Sequence, residues 1–353
     1  MSSHYTKAAV RTSLLHFMFG KAFNGVVSLL TLIMLARWMA PDAYGVYITF
    51  LALQISLLAI SSLGIETTTE RFLPELRTHH ADSELLGFVM AAMAARLGTL
   101  LLLMLVTWFA AQPITALIGL EQYFELFRVW IIVVGFAGML SFAVALLEAM
   151  LHQRYAQRCM SIYVLIKFML IGLAYQYLHL DIEVLVRIEL IATGMAALVG
   201  TWALVQHFPT NGLRNGWKMV LENRKRMKYF AIFNYTAQIV FQLFNAQIMK
   251  LLVTKLLGVI QAASYGFAYS LAETVQRYLP AVLLLRLIKP VFVSRYVKTR
   301  DFGLLNEMAR IILKLNLLIL APIIVFSVMF GSDLLATLSN DKYSDAHWVL
   351  VGL

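Results

Sequence analysis

The sequence has a single cysteine and few charged residues, and both shortages exclude functions. Cys159 alone forms no internal disulfide and no cysteine-based metal cluster, so nothing indicates an oxidising fold. Only 14% of the 353 residues are charged, whereas 61% are hydrophobic. Ordinary soluble domains carry about twice that share of charge. So few polar residues cannot cover a soluble core of this size. The surplus apolar surface must face lipid, and the sequence therefore predicts an integral membrane protein.

The charges that are present give a formal net charge of +10, which restricts the kind of partner. Nucleic-acid binding needs a basic face on a soluble domain, and no stretch is polar enough to form one. Anionic lipid headgroups or an anionic membrane substrate suit this charge better. The sequence also lacks a glycine-rich phosphate loop, a zinc-binding histidine pair and a nucleophile elbow. We therefore expect no enzyme, no cofactor and no metal site.

Long apolar stretches predict an all-α, multi-span membrane protein, since about 20 apolar residues cross the hydrocarbon core as a helix. Nine stretches qualify: 17–36, 44–64, 84–110, 128–150, 159–178, 184–207, 229–254, 263–287 and 308–330. A tenth starts near Ala346 and reaches Leu353, where the sequence stops. We therefore expect a fragment or a truncated gene product.

Alternate loops hold most of the basic residues, which places these loops and the N-terminus in the cytoplasm. The basic segment 209–228 then separates an N-terminal six-helix bundle, residues 1–208, from an incomplete C-terminal bundle, residues 229–353. Weak matches in the same order suggest that the bundles are parallel repeats, the second truncated. One such match pairs Tyr44-Gly45 with Tyr265-Gly266. Repeats of this kind are typical of transporters, whose substrate sites lie between them.

Ionisable residues within the spans are candidates for a substrate site, because their burial in a membrane is costly. The deep ones are Arg96, Glu148, Lys167, Glu189, Lys250, Glu273 and Arg277. Cations outnumber the acids that would pair with them at mid-depth, which favours an anionic substrate such as a pyrophosphate. We assign substrate binding to Arg96, Lys167, Lys250, Arg277 and Glu273. Two alternatives remain: Lys250 extends to the outer interface, and Glu273 merely neutralises Arg277 four residues later.

Amide side chains form a stripe along the seventh span. Asn234, Gln238, Gln242 and Asn245 recur at spacings that place them on one helix face. Four amides cannot face lipid cheaply, so the stripe lines a water-filled cavity or joins helices through hydrogen bonds. Asn24 in the first span and Tyr269 in the eighth are the other predicted cavity-lining residues.

Three segments resemble a known family of transporters. Residues 35–47 contain Ala-Arg37, Pro41, an acidic residue and Tyr44-Gly45, and residues 71–75 read Arg71-Phe-Leu-Pro74-Glu. This pattern is similar to the N-terminal signature of the Wzx-type polysaccharide and O-antigen flippases. These flippases belong to the multidrug/oligosaccharidyl-lipid/polysaccharide exporter (MOP) superfamily. Residues 343–346 resemble the stretch between the ninth and tenth spans of that family.

The resemblance implies that the protein flips undecaprenyl-pyrophosphate-linked oligosaccharides across the bacterial inner membrane by alternating access. Such flipping serves lipopolysaccharide, capsule or exopolysaccharide biosynthesis, with other polysaccharide assembly proteins as possible partners. Three alternatives remain. They are a cation-coupled multidrug exporter of the same fold, a membrane-embedded polymerase or glycosyltransferase, and an inert scaffold. The largest loops, 209–228 and 288–307, hold basic residues and few acids, which argues against an enzyme. A scaffold predicts neither an amide stripe nor buried cations.

Overall fold

The computed structural model describes residues 7–79, 82–150, 152–206, 213–277 and 302–352. In these ranges the chain forms helices joined by short turns, and none of the residues they contain is in a strand. The helices are α1 Lys7–Trp38, α2 Pro41–Ser61, α3 Ile65–His79, α4 Asp82–Phe109, α5 Ala111–Leu117, α6 Phe124–Ala149, α7 Gln153–Tyr177, α8 Ile182–Gln206, α9 Leu213–Leu243, α10 Ala246–Leu257, α11 Val259–Arg277, α12 Phe302–Ser339 and α13 His347–Gly352.

Seven segments of the described chain are long and apolar enough to cross a membrane. They are Met18–Trp38, Pro41–Ser61, Leu85–Phe109, Glu121–Ala149, Gln153–Tyr177, Asn223–Leu257 and Arg310–Ser339. Because these spans are helical and no strand accompanies them in the described ranges, the predicted all-α multi-span membrane fold is confirmed.

The expected spans 184–207 and 263–287 are not among these seven. The first coincides with α8, a helix of 25 residues that carries Glu183, Arg187 and Glu189 in its first half. The second coincides with α11, whose description stops at Arg277. The expected tenth span, which starts near Ala346, coincides with α13 and is described as far as Gly352.

Two segments that the sequence analysis treated as loops or span ends are helical. From Leu213 onward the basic segment 209–228 forms the first turns of α9, so it is mostly not a loop. Pro74 of the family motif lies inside α3. The turn at Leu63 and Gly64, with φ angles of 44° and 72°, separates α3 from α2.

The chain divides into two compact units, residues 1–31 with 38–262 and residues 32–37 with 263–353. In the first unit α6 packs against α8 and α4, α8 against α7, and α9 against α4. In the second, the Phe267 and Tyr343 rings lie 5.4 Å apart. There Arg37 Nη2 also donates to the Thr337 carbonyl at 3.1 Å. The boundaries predicted at 209–228 stay a prediction.

The segment that carries the family resemblance has a structural reason for its residue types. Pro41 begins α2, where a missing N–H costs nothing and the fixed φ suits a helix. Tyr44 is fully buried. A Cβ at Gly45 would lie 1.8 Å from the Val259 carbonyl oxygen, so only glycine fits beside the start of α11. Outside this segment, Arg71 forms an exposed ion pair with Glu75 at 3.2 Å.

Candidate functional site

A buried ion pair joins three helices of the first unit. Lys167 Nζ on α7 lies 2.6 Å from Glu189 Oε1 on α8. Tyr47 on α2 donates its hydroxyl to Glu189 Oε1 at 2.6 Å, and Tyr163 on α7 donates to Glu189 Oε2 at 2.9 Å. Lys167 Nζ also donates to the Tyr47 hydroxyl at 2.6 Å. Both carboxylate oxygens are therefore satisfied by donors from α2 and α7.

Burial makes this Lys167–Glu189 network energetically important. Glu189 is 1% exposed, and its side chain and that of Lys167 are 2% and 13% exposed. The Lys167 ammonium also lies 5.2 Å from the Tyr47 ring centroid. Charges removed from water are tolerable only when they are paired and hydrogen-bonded, and losing one partner leaves the other uncompensated. The network thus joins α2, α7 and α8 through buried contacts. We expect these contacts to need both charges.

A second ion pair joins the buried Arg96 to Glu66, whose side chain is 29% exposed. The Arg96 side chain is fully buried on α4, and Nη2 lies 2.9 Å from Glu66 Oε1. Arg96 Nη1 donates to Ser61 Oγ at 3.2 Å. Glu66 lies in the first turn of α3, outside the spans, and burial raises the pKa of its carboxyl while Arg96 opposes that shift. This pair fixes α4 against the end of α2 and the start of α3.

A third polar chain begins at Asn24, the predicted cavity residue of the first span. Asn24 is 9% exposed; its Nδ2 donates to Gln157 Oε1 at 3.3 Å, and Ser161 Oγ donates to its Oδ1 at 2.7 Å. Gln157 Nε2 donates in turn to Glu148 Oε1 at 3.4 Å. These residues join α1, α7 and α6 through uncharged donors and one carboxylate.

The amide stripe of the seventh span engages α2 through two of its members. Gln238 Oε1 accepts from Ser62 Oγ, just beyond the C-terminus of α2, at 3.0 Å, and Gln242 Nε2 donates to Ser56 Oγ at 3.3 Å. Asn234 Nδ2 donates within its own helix to the Phe230 carbonyl. The structure thus supplies the interhelical hydrogen bonds that were the alternative to a cavity wall.

Asn245 does not share the helix of the other three amides, which corrects the prediction of one continuous stripe. α9 ends at Leu243, and Asn245 precedes α10 in an extended conformation with φ −83° and ψ 153°. Its Nδ2 donates to Gln242 Oε1 at 3.3 Å across this break. The spacing was compatible with a helix throughout, but the chain interrupts the helix at the last amide.

The sequence analysis expected the cations within the spans to lack acidic partners. This expectation is wrong for three of the four cations. Arg96 pairs with Glu66, Lys167 with Glu189, and Arg277 Nη2 with Glu273 Oε1 at 2.8 Å. The fourth, Lys250 on α10, is 5% exposed and so is buried within the first unit.

The Glu273–Arg277 pair in the second unit differs from the others because it is open to its surroundings. The two side chains are 34% and 63% exposed. Tyr269, four residues before Glu273, is partly buried and its ring lies 6.2 Å from that of Tyr265. The Arg277 guanidinium is therefore accessible to an anion in a way that Arg96 and Lys167 are not.

Sequence reasoning missed Tyr47, Tyr163 and Glu66 as functional neighbours of the cations. Tyr47 comes from a different helix than the charges that it contacts, and Glu66 lies outside the spans, so no spacing rule joins these two to their partners. Tyr163 precedes Lys167 by four residues on α7, and this spacing could have indicated their contact. A tyrosine in an apolar span was the other available signal, since a buried hydroxyl needs a partner.

Long apolar helices, two of them joined by the buried Lys167–Glu189 pair, define a multi-span α-helical membrane protein. The model of the family described as polysaccharide biosynthesis protein matches residues 34–347, and the chain belongs to this family. No curated protein and no solved structure matches the chain.

Proposed function

We propose that the protein is a Wzx-type flippase that moves a polyprenyl-pyrophosphate-linked oligosaccharide across the bacterial inner membrane by alternating access. The observation that carries this proposal is the match to the polysaccharide biosynthesis family over most of a chain built from membrane-spanning helices. Undecaprenyl pyrophosphate is the carrier implied by the resemblance of residues 35–47 and 71–75. The protein acts here as a transporter, not as an enzyme.

The polar interior of the first unit supports transport. Ionisable residues are costly inside a membrane, and within spans they are typical of substrate or ion pathways. The Lys167–Glu189 network and the Arg96–Glu66 pair each join helices that alternating access has to move or hold together. Arg277, being 63% exposed, is the first candidate for contact with the pyrophosphate.

Two other functions remain as alternatives, and the location of the lipid-linked glycan distinguishes them. The gene is deleted in its own host, and spheroplasts are treated with a membrane-impermeant glycosidase. A flippase predicts that lipid-linked repeat units accumulate and resist the added enzyme, because they stay on the cytoplasmic face. A polymerase predicts that single repeat units become accessible while long chains disappear. A multidrug exporter predicts unchanged glycan and greater drug sensitivity. Either of the last two results would refute flipping.

The orientation is part of the proposal and has its own test. The basic residues place segment 209–228 in the cytoplasm and the turn at Asn340 in the periplasm. Alkaline phosphatase, which is active only in the periplasm, should be silent when fused in the former and active when fused at the latter. Reversed activity at both sites would overturn the orientation.

A further inference from the structure

The side of α2 that faces α9 forms an inner contact, at the end that the proposed orientation places toward the cytoplasm. Ser62 Oγ, just beyond α2, donates to Gln238 Oε1 at 3.0 Å. A Cβ at Gly64 would lie 2.5 Å from the Ala231 carbonyl oxygen, so the two main chains approach closely here. The inner contact thus consists of one hydrogen bond between uncharged side chains and one close approach of the backbone.

At its other end α2 meets α10 in an outer contact of the same kind. The Thr49 and Thr254 hydroxyls lie 2.8 Å apart, and both residues are at most 4% exposed. One turn nearer the membrane face, Gly45 leaves room for the Val259 carbonyl. Small residues and neutral hydrogen bonds are typical of close helix contacts in membranes. The seam between α2 and its neighbours is therefore closed at both ends.

The helix break at Phe244 and Asn245 lies between the two contacts. α9 ends at Leu243 and α10 begins at Ala246, so the inner contact belongs to α9 and the outer contact to α10. Across the break, the Asn245 N–H donates to the Gln242 carbonyl at 3.2 Å, three residues back. A few residues at the end of an element commonly absorb the φ and ψ changes of a hinge. The break therefore allows each half of the span to move with its own contact.

The opposite side of α2 is held more strongly. Tyr47 projects from that side, since it lies two residues from both Gly45 and Thr49 on the helix. Its hydroxyl donates to Glu189 and accepts from Lys167, each at 2.6 Å. A hydrogen bond to a charged group contributes at least about tenfold to an equilibrium constant. One between neutral side chains in a membrane contributes about threefold on average. The seam toward α9 and α10 is therefore the side of α2 that separates more easily.

Opening either contact would uncover hydroxyl and amide groups. Water can solvate these groups at little cost, whereas lipid cannot. Separation toward an aqueous cavity is therefore favoured over separation in lipid. The amides of α9 then have both of the roles that the sequence left open, because they join helices when the seam is closed and line a cavity when it is open.

We propose that the inner and outer contacts are two gates that open one at a time, with the break at Phe244 and Asn245 as their hinge. This inference rests on the proposed function, since alternating access needs a barrier at each membrane face. α2 belongs to the first predicted bundle, whereas α9 and α10 begin the second, and a substrate path lies between such repeats. Both gates are closed in this structure.

Cysteine labelling of the purified full chain in nanodiscs tests the gates. Cys159, the single cysteine, is replaced by alanine in every variant. A short bifunctional methanethiosulfonate, which a reductant removes, locks the outer gate through Thr49→Cys and Thr254→Cys. Gln238→Cys then reports on the inner gate through its reaction with a water-soluble maleimide. In the reverse experiment Ser62→Cys and Gln238→Cys lock the inner gate, and Thr254→Cys is the reporter.

A control crosslink is placed within the first bundle, away from both gates. It joins Glu148→Cys on α6 to Gln157→Cys on α7, whose native side chains lie 3.4 Å apart. This crosslink should leave the reaction of either reporter unchanged.

Locking one gate removes the states in which that gate is open, so neither reporter should react more slowly. The reporter whose open state is the minor one, populated to about 10%, should react about tenfold faster. The reductant should reverse this gain.

Three results would overturn the proposal. Slower reaction at one gate when the other is locked would mean that α9 and α10 move as one rod. Unchanged reaction at both reporters would mean that the gates do not alternate. No reaction at either reporter would mean that neither gate opens.

The labelling assay involves no transport, so this inference and the proposed function fail separately. Reporters that respond as expected, in a protein whose deletion leaves the glycan location unchanged, would retain the gates and exclude flipping. Glycan that accumulates on the cytoplasmic face, together with reporters that slow when the other gate is locked, would retain flipping and exclude the gates.

Discussion

Neutralising Glu189 should destabilise the first unit far more than neutralising a surface carboxylate on the same helix. Glu189→Gln removes the negative charge that faces Lys167 at 2.6 Å but keeps a side chain of similar size. The Lys167 ammonium, with a side chain 13% exposed, is then left without its counter-charge. The matched control is Glu183→Gln, also on α8, whose partner Arg187 lies 3.7 Å away with both side chains more than 60% exposed.

The magnitudes follow from the two environments. Removing one partner of a buried ion pair typically costs about 3–5 kcal/mol, whereas an exposed pair contributes about 0–1 kcal/mol. For a unit of this size that corresponds to a fall in Tm of roughly 6–20 °C for Glu189→Gln. The control should shift Tm by less than about 4 °C.

The assay is thermal unfolding of purified protein in detergent, followed by the loss of monodisperse protein on size-exclusion chromatography. A double variant, Glu189→Gln with Lys167→Met, removes both charges together. It should recover roughly half or more of the lost stability, because no uncompensated charge remains. Equal falls in Tm for Glu189→Gln and Glu183→Gln would refute the stabilising role assigned to this network. No recovery of Tm in the double variant would refute it as well.

The remaining predictions concern one close helix contact and one exposed ion pair. Gly45→Ala should prevent folding or lower Tm strongly, since its Cβ would lie 1.8 Å from a backbone oxygen. The control Gly98→Ala has no heavy atom within 4 Å of its Cβ, so its Tm in thermal unfolding should be unchanged or slightly raised. A normal Tm for Gly45→Ala would contradict the packing of α2 described above. Arg277→Ala should abolish glycan transport while changing the free energy of unfolding by less than about 1 kcal/mol. Arg277→Lys should keep part of the transport activity. Adding Glu273→Gln should not restore transport to Arg277→Ala. Normal surface glycan in the double variant, with protein levels checked by immunoblot, would reduce Arg277 to a structural partner.

Composition determined the class of protein because burial in lipid is a property of whole segments. Twenty apolar residues in a row have one stable environment, whatever their neighbours are, so the long apolar helices were predictable from the sequence. The same holds for the start of α2, where Pro41 acts on its own backbone. Local rules were weaker at turns, since the helix of the amide stripe ends at Leu243, before Asn245.

Only the tertiary structure decided which charges meet. Glu66 lies thirty residues from Arg96, and Tyr47, Lys167 and Glu189 come from three helices, so their pairing depends on how α2, α4, α7 and α8 pack. A count of cations and acids at similar depth therefore predicted unpaired cations, whereas Arg96, Lys167 and Arg277 each meet a carboxylate in the described part of the chain. The sequence could show that these groups are costly in a membrane, since that cost depends on residue type and depth. Whether a partner offsets the cost depends on distances of about 3 Å, and those are fixed by helix packing alone.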